Sequence, residues 1–318
     1  MTDVVALDVG GTHARFALAK VGADGAVSLG EPVTLATHDY SGLEEAWAEF
    51  ERVTPDPIPQ ATAIAAAGPV IGERISLTNS QWVIDAARLR ERLGIKQVTL
   101  INDFGAVAHA VASAPADQLV HIAGPDRPLP ERGTISVIGP GTGLGVAYIH
   151  RYRGGCHVQA TEGGHIGFAP QDEFDDGMLA DLRRRFSRVQ TERVNAGPGI
   201  AVIYTALGGT ELPDDRAIWE RGIARDDKLA TLAVDRFCAS LGTVAGDYAL
   251  VHGSQALVLA GGLGLKLREC LPHSDFAARF CAKPRYEAML EDMPVKLMVH
   301  PQPGLYGAVA AFAMEHGA

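Results

Sequence analysis

The 318-residue sequence is short of several things, and each shortage narrows the function. It has no excess of basic residues: 28 Lys and Arg stand against 38 Asp and Glu, a formal charge of −10. A surface of that sign argues against nucleic acid and against an anionic membrane as partners. No apolar run reaches the roughly 18 residues that a membrane helix needs. The first residues carry neither a basic region nor a cleavage site, so no secretory leader is expected. Cys156, Cys238, Cys270 and Cys281 are scattered, with no C-x-x-C pair. Zinc is therefore disfavoured, and a reducing cytoplasmic setting is expected. The G-x-x-x-x-G-K-[ST] loop is absent, and the glycines of 139–145 do not fit G-x-G-x-x-G, so neither standard nucleotide fingerprint applies.

What the sequence does have is 47% hydrophobic residues, ample for one large domain or two. Residues 5–18 read V-A-L-D-V-G-G-T-H-A-R-F-A-L. An apolar run is broken by Asp8, turned by Gly10 and Gly11 beside Thr12, and followed by a second strand pattern, so a hairpin is expected. Such a glycine turn lets backbone N–H groups approach a phosphate. Asp8 beside a phosphate requires a cation between them, which points to Mg²⁺ held through water. An ordinary hairpin is the competing reading. Residues 135–149 repeat the pattern, with Thr142 in the turn, and 256–262 read as a buried strand ending in Gly-Gly. Two such hairpins suggest two halves built alike.

Elsewhere, 27–36 reads as one weak strand. The stretch 41–53 reads as an amphipathic helix with Leu43, Ala46, Trp47 and Phe50 on one face. The alanine-rich strand 61–67 implies either close backbone packing or a floor beneath a ligand. Asn102 and Asp103 end the strand 97–101, at the strand end where α/β sheets bind ligands, although a helix cap explains them equally. The stretch 115–132 reads as loop-rich and as a domain crossing. Glu162-Gly-Gly-His165 offers an acceptor and a switchable donor suited to vicinal hydroxyls, against a turn with a solvated Glu and a satisfied His. Glu192 reads as a solvated helix residue. The stretch 227–251 reads as a core helix with Leu232 among its inward residues.

Together these segments resemble the bacterial ATP-dependent glucokinases that lack a zinc motif, within the hexokinase and actin-like ATPase superfamily. The resemblance runs nearly end to end: D-V-G-G-T-x-A-R at 8–15, L-T-N-x-x-W at 77–82, I-N-D-F at 101–104, G-x-G-T-G-L-G at 139–145, E-G-G-H at 162–165, E-R-V-x-x-G-P-G at 192–199, A-G-G at 260–262 and P-G-L-x-G at 303–307. The related repressor and kinase family with a Cys-rich zinc loop after E-x-G-H is disfavoured, since that loop is missing.

The resemblance implies an α/β fold of two ribonuclease-H-like domains around a central cleft, 1–109 with 301–318 and 110–300. It implies phosphorylation of D-glucose at the 6-hydroxyl by ATP and Mg²⁺, in a cytoplasmic homodimer. Asp103 matches the general base, and Asn102, Glu162, His165 and Glu192 match sugar ligands. Asp8, Val9, Gly10, Gly11, Thr12, His13 and Arg15 match the first phosphate loop, with Asp8 toward the metal. Gly139, Gly141, Thr142 and Gly143 match the second loop, and Gly261 and Gly262 the adenosine side. Asn79 and Trp82 match a segment near the sugar. His13 departs from the Asn common in the family. A kinase for another hexose and a catalytically silent sugar sensor are the alternatives.

Overall fold

Val4, Val5, Ala6 and Leu7 are apolar on both sides of the pleat, so the strand they form must be covered on both faces. In the computed structural model, which describes residues 1–317 apart from Asn79 and Pro213, it is. The chain divides into two compact units, Met1–Ala114 with His300–Ala318, and Pro115–Val299. The helix Asp103–Ser113 runs past residue 109 and ends the first stretch of unit one.

In unit one, β1 (Thr2–Val9) and β2 (His13–Val21) form the expected hairpin, with Val9 opposite Ala14. The stretch 27–36 is two strands rather than one, β3 (Val27–Leu29) and β4 (Val33–Ala36), both paired with β2. Gly30-Glu31-Pro32 splits them, since Pro32 has no N–H for a ladder. Next come β5 (Ala61–Ala66) and a small three-stranded sheet of β6 (Val70–Ile71), β7 (Arg74–Ser76) and β8 (Val83–Asp85). With β9 (Gln97–Asn102) the main sheet runs β3-β2-β1-β5-β9, and β5 and β9 are parallel to β1.

Alternate residues face opposite layers. Val5, Leu7, Phe16 and Ile64 pack on Leu43, Trp47 and Phe50 of the helix Leu43–Val53. Ala6, Ala17, Ala63 and Ala65 face Ala106 of Asp103–Ser113 and Leu305, Val309 and Phe312 of the C-terminal helix Pro303–His316. The alanines of β5 thus serve close packing rather than a ligand floor. The two helices touch so closely that a Cβ on Gly307 would overlap the Ala106 carbonyl oxygen.

Unit two repeats the plan. Its strands are β10 (Leu119–Ala123), β11 (Gly133–Pro140), β12 (Leu144–Tyr152), β13 (Gly155–Thr161), β14 (Ser254–Leu259) and β15 (Val295–Met298). They lie in the order β10-β15-β14-β11-β12-β13, with β11–β13 an antiparallel meander and β14 parallel to β11. The stretch 115–132 is therefore not all loop. Strand β10 pairs with β15 at the sheet edge, where only Ile122 is buried, so its apolar signal is weak.

The helices Glu173–Arg185, Gly199–Ala206, Asp215–Ala224 and Lys228–His252 cover one face. In the last of these Leu232 is 43% exposed, contrary to its expected core role. Among the described residues no helix is long and apolar enough to cross a membrane.

Gly307→Ala is expected to destabilise the protein by about 1–3 kcal/mol, because the added methyl must displace backbone rather than a side chain. A melting temperature unchanged from the parent would contradict this packing.

Candidate active site

The first glycine turn sits at the carboxyl end of β1. Among the described residues the Gly10 N–H donates to the His13 carbonyl at 2.9 Å, while the Gly11 and Thr12 N–H groups have no protein acceptor. A turn with two such N–H groups at the surface can donate to an anion. Neither Gly10 nor Gly11 adopts a positive φ, so their use lies in leaving the backbone bare. A Cβ on Gly10 would meet only the His13 oxygen, at 3.7 Å. Thr37, which is buried, braces the turn: its Oγ1 donates to the Gly11 carbonyl at 2.6 Å and its N–H to the Thr12 carbonyl at 3.0 Å. Val9 is a core residue with only its backbone near the turn, and His13 is exposed at the start of β2.

Asp8 faces Arg15 across the hairpin, with Nη1 of Arg15 at 3.3 Å from Oδ2. The first turn of the C-terminal helix closes over it, since a Cβ on Gly304 would stand 2.8 Å from the carboxylate. Burial pushes the Asp8 carboxyl above the usual carboxylate range, and Arg15 offsets only part of that.

The register carries Asn102 to the same end of the sheet: Val9 pairs with Ala66, and Ala66 with Asn102. Asn102, not Asp103, is the helix cap. Its Oδ1 accepts from the Phe104 and Gly105 N–H groups at 2.9 and 3.0 Å, and its Nδ2 donates to the Gly68 carbonyl at 3.1 Å. Asp103 sits in the first helical turn, with Oδ1 accepting from the Phe104 N–H at 2.8 Å. Trp82 is a core residue whose Nε1 donates to the Tyr40 carbonyl at 3.1 Å, and Asn79 lies outside the described residues.

In unit two the second turn repeats the first. The Gly141 N–H donates to the Gly143 carbonyl at 2.8 Å, and among the described residues the Thr142 and Gly143 N–H groups have no protein acceptor. Gly139 is a strand residue paired with Gly145. Gly261 follows β14 at φ +83° against the Pro140 carbonyl, and Gly262 beside it is exposed.

The E-G-G-H segment leaves β13 and is pressed onto β12. A Cβ on Gly164 would overlap the Leu144 carbonyl. Tyr248, its phenol pushed up to about 12 by burial, donates to the Gly163 carbonyl. His165 therefore stands between two carboxylates, with Nε2 at 3.6 Å from Glu162 and Nδ1 at 3.4 Å from Glu192. Glu192 is brought there by a bridge of Gly167 to Gln190 and by the Thr191 N–H on the Ile166 carbonyl. Its other oxygen lies over Gly143, 3.1 Å from where a Cβ would be. Two carboxylates and an imidazole thus adjoin the second glycine turn within one unit.

A family model described as glucokinase matches residues 5–315. The chain belongs to the glucokinase family. It is 49% identical to the glucokinase of Zymomonas mobilis over 99% of its own length and 98% of that protein's. The crystal structure of a glucokinase from an Antarctic psychrotroph superposes with a TM-score of 0.87 at 29% identity, covering all of both chains. A Balamuthia mandrillaris glucokinase, solved in complex with glucose, shares the fold with a TM-score of 0.77 at 20% identity, over 98% of this chain and 93% of that one. The fold is the two-domain actin-like ATPase fold of these sugar kinases, and the activity of the family is ATP-dependent hexose phosphorylation.

For a glucokinase family member, Asp8 fits a cation that arrives with its nucleotide. Among the described residues no group of three His, Cys, Asp or Glu side chains could hold a metal alone. A single half-buried carboxylate beside a bare turn suits a magnesium ion that keeps its waters and phosphates. Motif reading overlooked Thr37, which has no local signature because it acts by approaching a residue distant in sequence, and gave Gly304 no role of its own within P-G-L-x-G.

At neutral pH the ionised Asp8 opposes folding, and this opposition fades as pH falls toward its unfolded value of 3.8. Asp8→Asn is therefore expected to melt higher than the parent at pH 7, with the advantage shrinking in acid, and to lose turnover. A lower melting temperature at pH 7 would contradict the burial cost.

Proposed function

We propose that the protein transfers the γ-phosphoryl group of ATP to the 6-hydroxyl of D-glucose, giving glucose 6-phosphate and ADP. The observation that supports this reading most is Glu192, which joins the His165 cluster with one oxygen and overlies the Gly143 turn with the other. Sugar recognition and phosphate recognition then share one short segment. A cytoplasmic setting belongs to the proposal, since ATP is the donor.

Phosphoryl transfer asks the protein for alignment and charge neutralisation rather than covalent chemistry. The Gly11, Thr12, Thr142 and Gly143 N–H groups donate to phosphate oxygens. Asp8, steadied by Arg15, would hold Mg²⁺ through water, and that ion when bound neutralises phosphate charge. Glu162 and Glu192 accept from sugar hydroxyls, and His165 completes the set with a ring nitrogen. The carboxamide of Asn102, oriented by its cap, takes a further hydroxyl. Oxygen 6 forms its bond to the γ-phosphorus as the bond to the bridging oxygen of ADP breaks, and Asp103 takes the hydroxyl proton. A cavity of about 420 Å³ beside the second turn, walled by Thr142, Phe186, Arg193, Pro198 and Val202, gives the nucleoside apolar surface.

Asp103→Asn is expected to bind glucose normally by calorimetry and to lose about 10²–10⁴-fold in kcat, the usual consequence of removing a general base. A kcat near that of the parent would remove Asp103 from the chemistry.

A further inference from the structure

The second glycine turn is held from behind by Gly197 of the 192–199 motif and, through it, by a tryptophan that belongs to no motif. The Gly141 carbonyl accepts from the Gly197 N–H at 2.7 Å, and the Gly197 carbonyl accepts from Trp219 Nε1 at 2.9 Å. These two bonds engage the peptide groups on either side of the Gly197 Cα. A glycine has the most backbone freedom to lose, and here both of its torsions are pinned. The fit has little slack, since a Cβ on Gly197 would stand 3.0 Å from the Gly141 oxygen.

Trp219 is itself immobilised. It is buried, edge-on to Phe237 with ring centroids 4.9 Å apart. Its helix, Asp215–Ala224, is locked to Lys228–His252 at Gly222, where a Cβ would stand 2.5 Å from the Ala230 carbonyl oxygen. Packing alone does not account for an indole here, because the ring carries one donor and that donor meets the Gly197 carbonyl. The other end of the same segment is tied separately, through Thr191 to the Ile166 carbonyl and through Glu192 to His165.

We propose that Trp219 is a positioning residue for phosphoryl transfer: through Gly197 it fixes the second turn, and so the Thr142 and Gly143 N–H groups, relative to Glu192. The proposal rests on the reading of that turn as a phosphate site. It follows that removing the indole donor frees the nucleotide end of the segment and leaves the sugar end in place. A small loss of alignment lowers the rate as well as the affinity.

The test uses Trp219→Phe, which keeps an aromatic ring and deletes the donor, together with Gly197→Ala, which pushes on the same turn from outside the core. Melting temperature, glucose affinity by calorimetry, ATP KM and kcat are measured on each variant, on their combination and on Gly141→Val. For Trp219→Phe the ATP KM is expected to rise roughly three- to tenfold, the scale of one hydrogen bond, with kcat reduced and glucose affinity unchanged. The combined variant is expected to be no worse than the poorer single one, because both act on one turn. An ATP KM and kcat equal to the parent's in Trp219→Phe, even with a lower melting temperature, would overturn the proposal. Should Trp219→Phe fail to fold, a normal ATP KM in Gly197→Ala overturns it instead. A normal ATP KM in Gly141→Val would overturn the phosphate reading itself, and the proposal with it. A raised value there beside a normal Trp219→Phe would sink the proposal alone.

Discussion

Backbone meeting backbone, with no side chain between, is the constraint on which this protein depends. Gly307 lets the C-terminal helix lie directly on the Ala106 carbonyl. The first turn of the same helix, at Gly304, closes over Asp8. Burial, to which this approach contributes, holds the carboxyl above its ordinary range. A dication with its nucleotide would relieve that cost, so the same packing that opposes the empty state favours the loaded one.

The two units solve the same problem with the same parts. Each begins its antiparallel strands with a hairpin and adds strands parallel to the hairpin's first member. Each hairpin turn keeps two N–H groups unspent and is braced by donors from a later segment, Thr37 in unit one and Gly197 in unit two. The bracing matters because a bare glycine turn is otherwise the least rigid part of a sheet, and an anion site needs donors fixed in advance. The units differ in what they add. Unit one contributes the charged pair Asp8–Arg15 and the helix cap Asn102 beside Asp103. Unit two contributes the cluster around His165, whose contacts with Glu162 and Glu192 are long, at 3.6 and 3.4 Å.

Local pattern carried much of this. The hairpins, the helix face of Leu43, Trp47 and Phe50, and the placement of Asn102 and Asp103 at a strand end all follow from periodicity and turn chemistry. Spacing alone could not promote Glu192 from a solvated helix residue, because its partner His165 is reached through tertiary ties, the bridge of Gly167 to Gln190 and the bonds of Thr191 to the Ile166 carbonyl. Thr37 and Trp219 carry no signal for the same reason: a buried threonine and a core tryptophan look structural until the backbone they touch is known. The edge strand β10 and the helix Asp215–Ala224 escaped because few of their residues are buried, leaving little periodic signal. Family motifs suggest the roles that periodicity could not.

The central claim is that phosphate passes from ATP to one particular oxygen of glucose. Phosphorus NMR of the product, formed from uniformly ¹³C-labelled glucose with ATP and Mg²⁺, tests it most directly. The account predicts one new phosphomonoester resonance coupled to the methylene carbon at position 6, appearing in step with ADP. A phosphate coupled to the anomeric carbon, or ADP appearing with inorganic phosphate and no sugar ester, would contradict it.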